Sequence, residues 1–268
     1  MYPYISPKNK KEPPTMKKIL SIILSLTMIL SGICLLSSCD IADAAKTVQK
    51  ADKALTETPY IMTISLVFSS DNSYLSPTLE ALNTSVPVTV DGENMSFAMD
   101  LNSSNFEMLI VDRVLYYNFN LLGQDVKVKS TVSDEYYTEL RSKGGISMPV
   151  KPSHFENMSM ETRNGKKVIT CSGISDEGRN LVDKSLLDTV GEINDEMDLA
   201  DLSFVLTIAN GKYESMALNV TYNTVLADQS TTVTTSMTAT FTYDGVAHLT
   251  APADAASYTQ IDIEDLLG

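Results

Sequence analysis

Tryptophan is absent from the 268 residues, histidine occurs twice and cysteine three times. Each scarcity closes off a class of chemistry. The two histidines, His154 and His248, lie far apart in the chain, and neither has a Cys or His neighbour at ligand spacing, so no metal centre is expected. The sequence has no Gly-x-Ser-x-Gly elbow, no His-Glu-x-x-His helix and no Walker loop, and nothing marks any two of its carboxylates as a catalytic pair. An enzyme is therefore not the expectation, and no cofactor is implied. Positive charge is also scarce. Twenty Lys and Arg stand against 34 Asp and Glu, a net of −14. From Cys39 onward no basic run exists to neutralise phosphates, which excludes nucleic acid as a partner and disfavours anionic headgroups.

What the sequence does contain is concentrated first between Met16 and Asp40. Lys17 and Lys18 precede an apolar run, Ile19 to Leu36, diluted by Ser21, Ser25, Thr27, Ser31 and Gly32 and followed by Ser37-Ser38-Cys39. A charged n-region, an apolar h-region and a small-residue cleavage site make an export signal, here residues 16–38. Leu36-Ser37-Ser38-Cys39 resembles the lipobox of bacterial lipoproteins, in which the thiol receives a diacylglyceryl group before a peptidase cuts ahead of the cysteine. Cys34 is the competing thiol, but Ile33 before it is too bulky for the cut. The resemblance thus implies lipidation at Cys39 and anchorage to the outer face of the cytoplasmic membrane. An uncleaved transmembrane helix is the alternative, since the run reaches the lower limit for a span, but its serines, threonine and glycine count against it. Residues 1–15, with four prolines and three lysines, have no periodicity. They read as a disordered extension, and a signal opening on its own methionine makes Met16 an alternative start.

From Cys39 onward the chain holds 15 basic and 33 acidic residues, a net of −18. Such a surface is expected to stand off the membrane on its tether. Of the cysteines only Cys171 then remains unmodified, so no internal disulfide is possible. It shares a strand face with Ile169 and is expected as a small buried hydrophobe.

Residues 40–57 carry Ile41, Ala45, Val48 and Leu55 near one helical stripe and charges elsewhere, which predicts a short amphipathic helix. At Tyr60 the period changes from 3.6 to two, with Tyr60, Met62, Ile64, Leu66 and Phe68 alternating with polar residues. Asp71 to Ser85 is expected as a polar loop. Asp91-Gly92 sets up a hairpin into Met95, Phe97, Met99 and Leu101, and strands continue through residues 106–129. Ser133 caps a second helix, residues 134–143, and Gly145 to Pro152 links two halves of the sheet. Asn164-Gly165 makes the next hairpin. Ser175 opens a third helix with a stripe of Val182, Leu186, Val190 and Ile193. An acidic run from Glu192 to Asp201 reads as a solvated turn. Asn210-Gly211 joins two more strands; on the later strand Thr232 to Thr242 present hydroxyls on one face while Met237, Ala239, Phe241 and Tyr243 occupy the other. Asp244-Gly245 is expected to turn into a last strand, Val246 to Thr250.

About ten to twelve hairpin-connected strands with three non-alternating helices predict an α+β, mainly antiparallel fold: a curved meander with helices on one face, in a single domain over residues 39–268. So wide a sheet must curl, because strands twist. This order of elements resembles the LolA/LppX-like group of exported carriers and lipoproteins. The similarity rests on the amphipathic helix after the lipidated cysteine, the strands around Asp91-Gly92, the aromatic strand Val114 to Phe119, the strand and helix at Lys166 to Ile193 and the closing Ala251 to Ala255. It implies a half-barrel whose cavity accepts acyl chains of lipids or lipoproteins.

The inward positions Met95, Phe97, Met99, Met237, Ala239 and Phe241, with Val182, Leu186 and Val190, are the cavity candidates. Methionine adapts to irregular ligands, but it also fills ordinary cores. Two functions stay open: a lipid-anchored protein binding a lipid or acyl chain non-covalently, and a protein-binding or scaffold module with a packed core, its protein partner unspecified.

Overall fold

A computed structural model describes residues 39–73, 76–101, 104–121, 124–134, 137, 152–180, 198–226 and 229–262. Its organising element is one twelve-stranded sheet. The strands are β1 (Tyr60–Ser70), β2 (Thr84–Asp91), β3 (Asn94–Leu101), β4 (Ser104–Val111), β5 (Val114–Leu121), β6 (Gln124–Thr131), β7 (Phe155–Arg163), β8 (Lys166–Ile174), β9 (Asp198–Ala209), β10 (Lys212–Leu226), β11 (Gln229–Thr242) and β12 (Thr259–Gln260). Their order across the sheet is β12-β6-β5-β4-β3-β2-β1-β11-β10-β9-β8-β7. The sheet is open and curled, and every pairing but one is antiparallel.

The expected single meander is in fact two. Strands β1 to β6 form one and β7 to β11 the other, and the seam between them is the ten-residue pairing of β1 with β11. That seam explains why no strand follows Asp244-Gly245. β11 is already flanked by β1 and β10, so a hairpin return at Val246 would find no free edge. Residues 243–258 instead cross without pairing, and β12 runs parallel to β6.

Hairpin chemistry sets the registers. Asn164-Gly165 and Asn210-Gly211 have positive φ at both residues (50° and 78°, 53° and 74°), the turn whose twist matches its flanking strands. Asp112-Arg113 does the same at 50° and 65° without glycine.

Two bulges alter the reading of the sequence. Glu214 is extra in β10 and Ala200 is extra in β9, so Tyr213 with Met216, and Leu199 with Leu202, point inward although three residues apart. A strict period of two misses Tyr213, and it turns the Asp198–Asp201 end of β9 into a solvated turn.

Helix α1 (Cys39–Glu57) is alanine-rich, and it is followed by Pro59, which cannot continue a helix. It packs on β7, β9 and β10 through Val48 and Leu55 of the expected stripe together with Ala44 and Ala51, alanines that let the backbones approach closely. The helix includes Cys39 itself.

Two helices are described from end to end, against the three expected. The second, α2 (Ser76–Glu80), falls in the expected loop, where Ser70, Asp71 and Asn72 bond Thr231 and Thr232 of β11. Of the expected helix at 134–143 only residues 134 and 137 are described, and of the one from Ser175 only its first turn; residues 181–197 lie outside the described part. In that first turn Gly178 N–H donates to Ser175 Oγ at 3.1 Å, and Ser175 N–H donates to the His154 carbonyl at 3.1 Å. No described helix is long and apolar enough to cross a membrane.

Candidate ligand-binding face

Register places the apolar side chains of this sheet in continuous rows. One row reads Tyr117, Met108, Phe97, Val88, Met62, Phe241 from β5 across to β11. A second reads Ile64, Ala239, Met216, Leu206, Ile169 from β1 to β8. A third joins Leu66, Met237, Leu218, Phe204 and Cys171. The second and third rows and the first from Phe97 to Phe241 belong to or pack against one buried cluster closed on one side by α1, while Tyr117 and Met108 pack against a second cluster around Ile110, Leu115, Val132 and Tyr137. Met95 packs against both.

All six described cavity candidates lie on this face. Met99, Met237, Ala239 and Phe241 are buried in the main cluster, and the half-buried Met95 and Phe97 pack against it. They form two groups, on β3 and on β11, separated by β2 and β1 and therefore by about 14 Å. Val182, Leu186 and Val190 lie outside the described residues.

No family model and no curated protein matches the chain.

One end of the face is closed by aromatic rings. Phe241 lies 6.0 Å from Tyr60 and 5.8 Å from Tyr213, with Tyr243 6.3 Å beyond Tyr60. Tyr213, reached through the Glu214 bulge, donates its hydroxyl to Asp52 of α1 at 2.5 Å and so ties the helix to the sheet. Burial against the sheet raises the Asp52 carboxyl above its ordinary value, against the pull of this bond. Burial and then the Asp52 charge hold the Tyr213 proton well above the usual phenol range, so the hydroxyl remains a donor. Neither residue stands out in the sequence, because their contact needs both the bulge and the helix packing.

The face offers contact area rather than reactive groups. Cys171 is 6% exposed, and burial pushes its thiol up to about 11, away from thiolate chemistry. His154 is buried beside Glu177, and His248 is exposed with its ring against Asp91. Among the described residues no group of three His, Cys, Asp or Glu is arranged to hold a metal.

Proposed function

We propose that the chain is an exported, lipid-anchored lipoprotein that holds a hydrophobic ligand, a lipid or acyl chain, non-covalently on the apolar face of its curled sheet. The observation that carries this reading is the continuous row from Tyr117 to Phe241, apolar across six strands and including two of the candidate side chains. Apolar chain leaving water for such a surface gains about 25 cal/mol per Å². Methionines at 62, 95, 99 and 108 give the surface adaptable contacts. The resemblance to the LolA/LppX-like half-barrel, read from the order of elements, points the same way, and Cys39 at the first residue of α1 is the proposed attachment to the membrane.

A specific observation favours the second reading, a protein-binding or scaffold module. Leu206 and Ala239 are 0% exposed and Met237 is 1% exposed, the values of a filled core. The two readings separate in a titration with a fluorescent fatty acid. The full chain binds the probe saturably, and Met95→Ser with Phe97→Ser weakens binding about tenfold, the factor equivalent to roughly 1.4 kcal/mol of lost apolar contact. Absence of saturable binding, or unchanged affinity in the double variant, supports the module.

A further inference from the structure

A hollow of about 400 Å³ lies between α1 and the two Asn-Gly turns, beside the β8 end of the second row, where Met160 pairs with Ile169. Its size falls within the range of small-ligand sites, about 300 to 1,000 Å³. Lys46, Lys50 and Lys167 line it, with Asp43 as the one acidic residue among its described lining and Met160 and Ile208 as apolar walls. On α1 the residues 43, 46, 47 and 50 form one stripe, next to the stripe that packs on the sheet. The Lys50 side chain lies over the Asn210-Gly211 turn, where a Cβ built on Gly211 would sit 3.1 Å from its ammonium.

The partners of the other cations make these three distinctive. Of the eleven described Lys and Arg residues, six are held in ion pairs. Lys129 donates to the Ala255 carbonyl at 2.8 Å, and Lys212 lies 4.6 Å from the Tyr243 ring centroid. The remaining three have no ion pair, hydrogen bond or ring partner among the described residues, and all three line this hollow. In a chain with net charge −14, an excess of positive charge in one concavity is a local inversion of the surface.

We propose that this hollow binds a phosphate group. Lysine serves as a point-charge partner for phosphate, and three ammoniums from two elements surround an anion where one would only neighbour it. Met160 and Ile208 suit the apolar portion of a phosphate ester. Two sources share this chemistry, a soluble phosphate ester and a phospholipid headgroup. The headgroup alternative rests on lipidation at Cys39: Lys46 and Lys50 follow that residue by seven and eleven positions in α1, about 10 and 16 Å along the helix. The site itself does not depend on the apolar-ligand reading.

The test is the rate of amine acetylation at each lysine of the full chain, resolved by peptide mass spectrometry. One arm adds inorganic phosphate or glycerol 3-phosphate to the protein in non-ionic detergent. The other compares phosphatidylcholine bilayers with and without phosphatidylglycerol. With about four-fifths of sites filled, acetylation at Lys46, Lys50 and Lys167 slows about fivefold together, while Lys53, paired with Glu57 on the same helix, is unchanged. Protection in the first arm assigns a soluble ester, and protection only with phosphatidylglycerol assigns a headgroup. Lys167→Gln, on an exposed strand position, removes the protection of Lys46 and Lys50 in either case. No protection in either arm, equal protection at Lys53, or full protection surviving in Lys167→Gln overturns the proposal.

Discussion

Replacing Cys39 by serine is expected to abolish incorporation of labelled palmitate and, because the cut follows lipidation of the thiol, to leave the signal at residues 16–38 uncut. The effect is close to all-or-none. Each buried methylene contributes about 0.8 kcal/mol to membrane attachment; a single acyl chain holds only reversibly, and the two chains of a diacylglyceryl group hold durably. Serine keeps the size of the side chain and removes the acceptor thiol. The fold is expected to be untouched, because the described packing residues of α1, Ala44, Val48, Ala51 and Leu55, lie beyond the substituted position. Unfolding by urea should therefore give the wild-type midpoint. If the wild-type chain is itself neither labelled nor cut, the apolar run Ile19 to Leu36 is an uncleaved span and the lipobox reading is wrong.

Gly178→Ala is expected to destabilise the fold by about 3 kcal/mol, the upper part of the range for forcing a methyl into a filled space. A Cβ at this position would lie 2.2 Å from the backbone oxygen of His154, an atom that cannot rotate away. The same carbonyl accepts the Ser175 N–H at 3.1 Å, and Ser175 Oγ donates to the Ser153 carbonyl at 2.5 Å, so the clash falls where the helix start is pinned to the chain entering β7. Gly92→Ala is the comparison. Its φ is +62° but nothing lies within 4 Å, so only backbone strain of about 1 kcal/mol applies. Urea midpoints measured on both variants should differ clearly. Equal losses would mean that residues 152–154 do not pack on Gly178.

The parts of the fold legible in the sequence are those encoded locally. Asn164-Gly165 and Asn210-Gly211 specify their turns through residues that accept positive φ, and the alternation in β1, β10 and β11 matches the faces observed. What escapes is encoded by distant partners. Strand order follows from the β1–β11 seam, which no residue announces, and that seam removes the strand expected at Val246. The bulges at Ala200 and Glu214 break the period of two at Leu199 and Tyr213. Ala44 and Ala51 join Val48 and Leu55 in the helix contact, where closeness of approach rather than hydrophobicity selects the alanines.

The candidate face follows the same division. Met95, Phe97, Met99, Met237, Ala239 and Phe241 share one face, as strand periodicity implies, yet their separation into two groups three strands apart depends on the sheet order. The lysine hollow is the clearest case of information absent from linear sequence. From Cys39 onward no basic run exists, and the fold assembles a basic site from positions 46, 50 and 167.

The central claim, an apolar ligand held by a lipid-anchored curled sheet, is tested most directly by native mass spectrometry of the purified full chain with solvent extraction of whatever co-purifies. The account predicts a lipid or other apolar molecule near one equivalent per chain, lost in the Met95→Ser, Phe97→Ser variant. A chain that purifies empty in both forms would contradict it and leave the scaffold reading in its place.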